Sequence, residues 1–152
     1  MRLLAGVAEV GAADLLRRVG RLVALEGQEV LLAHVVDTGP RSELQLGRER
    51  VPRRPLPPHR ARAVGEAERA AARAMLDEAA EVASGLGART YTLAAEGEPG
   101  RVLCALAAEH GCTAVAVAAR TGRSERPGPH SVGHTARFVL DHAPCPVVLV
   151  RG

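Results

Sequence analysis

The sequence predicts a single α/β domain over residues 1–152: an open, Rossmann-like sheet of five parallel strands in the order 3-2-1-4-5, with helices on both faces. Three observations predict it. Short apolar runs alternate with helical patterns along the whole chain. The run "EVLLAHVVD" is too continuously apolar for a strand with one wet face, so it belongs inside a sheet covered on both sides. At 152 residues and 15.9 kDa the chain suits one core, and it shows no internal repeat.

The elements follow in order. "LLAGVA", Leu3 to Ala8, is the first buried strand. "AADLLRRVGRLVALEG" sets Leu15, Leu16, Val19, Leu22, Val23 and Leu25 at helical spacing, with Gly27 as its stop. Glu29 to Asp37 is the second strand. The Pro- and Arg-rich segment from Thr38 to Arg60 comes next, and Pro52, Pro55, Pro57 and Pro58 argue against regular structure in its second half. So long a connection is expected to lack order. "RAVGEAERAAARAMLDEAAEVASGLG" is a long helix ending near Gly85 or Gly87, whose charges read as a solvated face. "RTYTLAAEG" is the third strand, and "EPGRVLCALAAEHG" a helix with Pro99 in its first turn. "TAVAVAA", "GHTARFVLDHA" and "PVVLV" complete the pattern as strand, helix and strand.

Composition narrows the function. Apolar residues make up 47 % and charged residues 24 %, the balance of a folded globule. Tyr91 and Phe138 are the only aromatics, which disfavours nucleic-acid modules that stack bases on aromatic platforms. All 20 basic residues are Arg, spread along the chain, so the net charge of +3 marks no basic stripe. Cys104, Cys112 and Cys145 are an odd count in apolar contexts and read as reduced core residues. Glu9 and Asp14 interrupt the apolar start, and no run approaches the ~18 residues of a membrane span, so the expected location is cytoplasmic, away from membranes.

In open parallel sheets, ligands sit past the carboxyl ends of strands where the strand order reverses. The segments leaving strands one and four, "AEVGAAD" and "RTGRSERPGPHSVGH", are therefore the first suspects. A helix starting near Gly133 would aim unpaired N–H groups at that crevice.

The chain resembles a universal stress protein domain over nearly its whole length. "LLAHVVD" carries the resemblance, together with "GEPGRVLCALAAEHGCTAVAVAAR" and "GHTARFVLDHAPCPVVLV", above all the ending His142 to Val150. The resemblance implies an adenine nucleotide alpha hydrolase-like α/β fold and homodimers that meet through the last strand, here Val147, Val148, Leu149 and Val150. Pairing that terminal edge across a two-fold axis would also satisfy its free backbone groups, an argument independent of the family.

One branch of the family binds ATP with an Asp ending strand one and a loop of form G-x2-G-x9-G-[ST]. This sequence departs from both. Ala8 or Glu9 stands where the Asp is expected; the first loop Gly falls on Ala118 or Ala119, and the second on Thr121 or Gly122. Gly133 is intact, but His134 follows it and Thr135 comes one place late. A Cβ obstructs close approach of backbone N–H groups to phosphate, and Pro127 and Pro129 remove donors outright. Each lost contact to a charged group costs about 1.5–3 kcal/mol.

The expected function is thus a homodimeric, non-catalytic stress-response module acting through an unidentified regulatory partner, with no required cofactor and weak or absent ATP binding. The alternative is an adenine-nucleotide sensor holding ATP, ADP or AMP through Arg120, Arg123 and the last helix's N-terminus. Ala8, Glu9, Val36, Asp37, Ala118, Gly122, Gly133, His134 and Thr135 complete its candidate site.

Other constellations carry less. His130 and His134 are spaced i, i+4, but a metal needs a third ligand, and His142 and Cys145 lie at the far end of that helix. Ser131, His134 and Asp141 cannot form a triad, because the acid must orient the base from behind. His34 reads as a satisfied core or strand-end histidine.

Overall fold

The computed structural model describes residues 1–8, 11–37, 58–119 and 132–151. β1 (Arg2–Gly6) leads to α1 (Ala12–Leu22), β2 (Glu29–Asp37), α2 (Pro58–Gly85) and β3 (Arg89–Gly97). α3 (Pro99–Glu109), β4 (Ala114–Ala118), α4 (His134–His142) and β5 (Val147–Val150) follow. The strands form one parallel sheet of order β3-β2-β1-β4-β5, as the sequence predicts.

Side chains alternate across the sheet and divide the core in two. On one face Leu3, Ala5, Val30 and Leu32 pack against Leu15, Leu16 and Val19 of α1 and Leu76, Ala79 and Ala83 of α2. On the other, Leu4, Leu31, Ala33, Val115 and Val117 pack against Leu103 and Leu106 of α3 and Ala136 and Val139 of α4. Leu4, Leu16 and Val139 are each fully buried, a contribution of about 1.5–3 kcal/mol per side chain. Gly100 lets α3 and α4 meet closely, and Phe138 fills the seam, its ring stacked on His142 at a centroid distance of 4.1 Å.

Three boundaries differ from expectation. β1 stops at Gly6, although Val7 N–H still donates to Ala33 O of β2 at 2.8 Å. α1 stops at Leu22: Val23 is extended, with its N–H bonded back to Val19 O at 2.9 Å. Leu22 is 71 % exposed, since it lies off the stripe that Leu15, Leu16 and Val19 turn to the core, while Leu25 re-enters the core beyond the helix. α2 begins at Pro58, inside the stretch expected to be irregular; proline suits a first turn, where its missing N–H would have had no partner. The rest of that stretch, 38–57, lies outside the described residues.

At the sheet's end, among the described residues, β5 pairs with β4 alone. Val147, Val148 and Leu149 are half-buried on this edge, whereas Val150 is buried in the core.

Candidate functional site at the carboxyl rim of the sheet

β1 ends where the chain must leave the sheet. Val7 N–H still donates to Ala33 O at 2.8 Å, but its carbonyl turns to a side chain, accepting from His34 Nδ1 at 2.9 Å. Gly11, at φ 89°, opens α1 in a left-handed conformation that a β-carbon would strain. Beyond β4, Ala119 N–H donates to Val150 O at 2.7 Å. Gly133, at φ 86°, opens α4, and its carbonyl accepts from Arg137 N–H at 3.0 Å.

These exits surround a cleft of about 830 Å³ across the carboxyl rim. The α1/α2 side is walled by Leu15, His34, Val36, Glu68, Ala71 and Met75. The α3/α4 side is walled by Val35, Pro99, Leu103, Val117 and the first turn of α4, Gly133 to Ala136. Val7, Ala8 and Gly11 cross between them. Most of the wall is aliphatic.

Its polarity comes from His34, His134 and the carboxylates Asp14, Asp37 and Glu68, together with the ends of helices. The first-turn N–H groups of a helix have no intrahelical partner, and neither Gly11 nor Gly133 supplies a side-chain cap. Both N-termini open on the cleft and bring positive dipole ends to it. α3 differs. Glu98 caps it, accepting from Gly100 N–H at 3.2 Å and Arg101 N–H at 3.1 Å. The same carboxylate lies 3.6 Å from Arg101 Nε and 3.8 Å from His134 Nε2, so it sets a negative charge beside the start of α4.

Of the sequence-predicted site residues, Ala8, Val36, Asp37, Ala118, Gly133, His134 and Thr135 meet at this cleft. Glu9, Arg120, Gly122 and Arg123 lie outside the described residues, as do His130 and Ser131. His34 is indeed a buried histidine with a partner, but it also faces the cleft, which its apolar neighbours in "LLAHVVD" concealed. Glu68, Ala71 and Met75 were not foreseen, because only tertiary packing brings α2 over the rim. Glu98 was missed as well; its place just before Pro99 at a helix start is the signal that could have found it.

Nothing in the described site favours nucleophilic or metal chemistry. Burial pushes the Cys104, Cys112 and Cys145 thiols up, away from reactive thiolates. Among the described residues, no cluster of three or more His, Cys, Asp or Glu side chains is placed to hold a metal. Among them, no helix is long and apolar enough to cross a membrane.

A family model described as the Universal stress protein family matches residues 1–151. Solved structures share the fold. Protein MJ0577 superposes with a TM-score of 0.74 at 15 % identity, over 99 % of this chain and 95 % of that one. Universal stress protein UspA from Lactobacillus plantarum gives a TM-score of 0.72 at 23 % identity, over 99 % and 97 %. A universal stress protein family protein from Arabidopsis thaliana, solved with AMP bound, gives 0.62 at 16 % identity, over 99 % and 91 %. Other universal stress proteins of this fold were solved with cAMP and, from Archaeoglobus fulgidus, with dAMP. No curated protein matches the chain.

Proposed function

The chain belongs to the universal stress protein family, and from that premise we propose that it is a non-catalytic stress-response module whose rim cleft binds an adenosine monophosphate. One observation carries the reading: two helix N-termini without side-chain caps open on a single, mostly aliphatic cleft of about 830 Å³. Such termini receive phosphate, and aliphatic walls receive a base and ribose. Adenosine monophosphates in solved proteins of the same fold agree with it.

A triphosphate fits the reading less well. Ala118 and Ala119 bring β-carbons to the end of β4, where the family's nucleotide loop begins with glycine. The Glu98 carboxylate beside α4 repels added negative charge. Losing two contacts of about 1.5–3 kcal/mol each would weaken a triphosphate complex by a factor of hundreds or more. Turnover is not assigned: His34 commits one ring nitrogen to the Val7 carbonyl, and among the described residues no His, Cys, Asp or Glu cluster is placed to hold a metal.

The module works as a homodimer. β5 is one of the sheet's two edge strands, and its half-buried Val147, Val148 and Leu149 are the apolar surface that a second copy covers.

Thermal unfolding with added AMP tests the ligand assignment. A bound ligand raises stability by about 2.7 kcal/mol at one hundred times its dissociation constant, so the midpoint should climb steadily with AMP. A midpoint indifferent to millimolar AMP would refute it.

A further inference from the structure

Two free cysteines stand at the entries of neighbouring strands: Cys112 in the turn before β4, Cys145 in the turn before β5. Pairing of these strands begins just after them. Val115 N–H donates to Pro146 O at 2.9 Å, and Val115 is the register partner of Val147. Paired strands lie about 4.8 Å apart, so the pairing draws the two turns together on the scale that a disulfide spans, about 4.4–6.8 Å between Cα atoms. The backbone holds Cys112 in place, its N–H donating to Ala107 O at 2.8 Å while Thr113 N–H donates to Arg2 O at 2.8 Å. The Cys112 side chain is 7 % exposed in the core of the α3/α4 face, and half-buried Cys145 packs against that same core. Burial pushes the Cys112 thiol up, and charge on Cys145 pushes it further. Cys104 lies on α3 instead of at a strand entry, and after burial it feels Glu98 ahead of Cys145.

We infer that Cys112 and Cys145 are a modification site: a hydroperoxide converts them to a reversible disulfide that fastens the edge strand β5 to β4. The site lies at the amino end of the sheet, opposite the rim cleft, and is independent of what the cleft binds.

The steps balance. Cys145, the more exposed of the pair, is the thiol that an oxidant reaches first. Its sulfur attacks a peroxide oxygen: an S–O bond forms, the O–O bond breaks, and water departs, leaving Cys145 as a sulfenic acid. The Cys112 sulfur then attacks the Cys145 sulfur. An S–S bond forms, the S–O bond breaks, and the hydroxyl leaves with the Cys112 proton as a second water. Two thiols and one hydrogen peroxide thus give one disulfide and two waters.

Burial sets the tempo. It holds both thiols above their ordinary value, so little thiolate exists at neutral pH and the bridge forms slowly, faster as pH rises. The reduced form gains no stabilisation from a thiolate, so the bridge, once made, resists mild thiol reductants. What it adds is a tie at the entry of a strand of four residues that has one strand neighbour among the described residues. Closing the chain between Cys112 and Cys145 also restricts the unfolded state.

The test treats the reduced full chain with hydrogen peroxide and cleaves it, without reductant, after Arg and Glu, which separates the three cysteines. Mass spectrometry should find Cys112 linked to Cys145, in a chain that still runs as a single chain on a non-reducing gel. The unfolding midpoint should rise by about 5 °C or more and fall back after dithiothreitol. Cys145→Ser and Cys112→Ala should each lose the link and the rise, whereas Cys104→Ala should keep both. The wild-type peptide map needs no variant to fold, so the inference stays open to refutation whatever the substitutions do. Cysteines that remain thiols or pass to sulfinic acid without a link, a link that uses Cys104 or joins two chains, or a midpoint rise that survives Cys145→Ser would each overturn it.

Discussion

A β-carbon built on Gly100 would stand 2.7 Å from the β-carbon of Phe138 and 2.9 Å from its Cγ and Cδ1. α3 and α4 therefore approach as they do because residue 100 has no side chain. Alanine normally steadies a helix relative to glycine, but here the added methyl must displace Phe138 or shift a helix. Gly100→Ala should lower unfolding stability by about 1–3 kcal/mol in a urea titration. Stability equal to or above wild type would show that the seam yields freely.

Glu98 has two opposed effects. It caps α3 through Gly100 and Arg101 and sets negative charge beside His134 at the start of α4. Glu98→Gln keeps an acceptor and removes the charge. It should cost up to about 1 kcal/mol of stability while tightening AMP binding, since the phosphate would no longer meet a carboxylate. Weaker AMP binding in this variant would place the phosphate elsewhere.

Val148 lies on the open edge of the sheet, paired on one side with Ala116 and half-buried. Val148→Glu puts a charge where a second copy would pack. Sedimentation should then show monomers, with circular dichroism confirming that the fold persists. A folded variant that sediments as the wild type does would move the dimer interface away from β5.

Arg2 and Glu29 couple the start of β1 to β2 through a 2.7 Å hydrogen bond from Nε to Oε2. This bond from Arg2 holds the Glu29 carboxyl below the usual carboxylate range. A carboxylate depressed in the folded state stabilises above its unfolded value, and that contribution is lost as pH falls toward its folded value. Glu29→Gln should be less stable than wild type near neutral pH, and the gap should close on acidification through the carboxylate range. A gap independent of pH would contradict the assignment.

Much of this architecture was legible from short runs bounded by turn residues. β2, covered on both faces, spans Glu29–Asp37 as its continuous apolar run marks, and the edge strand β3 spans Arg89–Gly97, set off by Gly87 and Gly97. Parallel order fixes where strands end, and so Ala8, Asp37, Gly133 and His134 could be assigned to one crevice before any geometry was known. The α2 wall of the cleft could not be read this way. Glu68, Ala71 and Met75 reach it through the docking of a helix joined to β2 by a long connection, and local pattern carries no record of that docking. Val23 and Leu25 failed for the opposite reason: their spacing matched a helix, but α1 ends at Leu22, and Leu25 is buried from beyond it. His34 shows the limit of a binary reading, being buried and facing the cleft at once. The family resemblance contributed what local physics alone did not, namely which loop positions would normally hold glycine.

Calorimetric titration of the purified full chain with AMP and then with ATP tests the central claim most directly. One AMP per chain, bound more tightly than ATP, is the predicted result. No heat of binding from millimolar AMP, or ATP bound the tighter of the two, would contradict it.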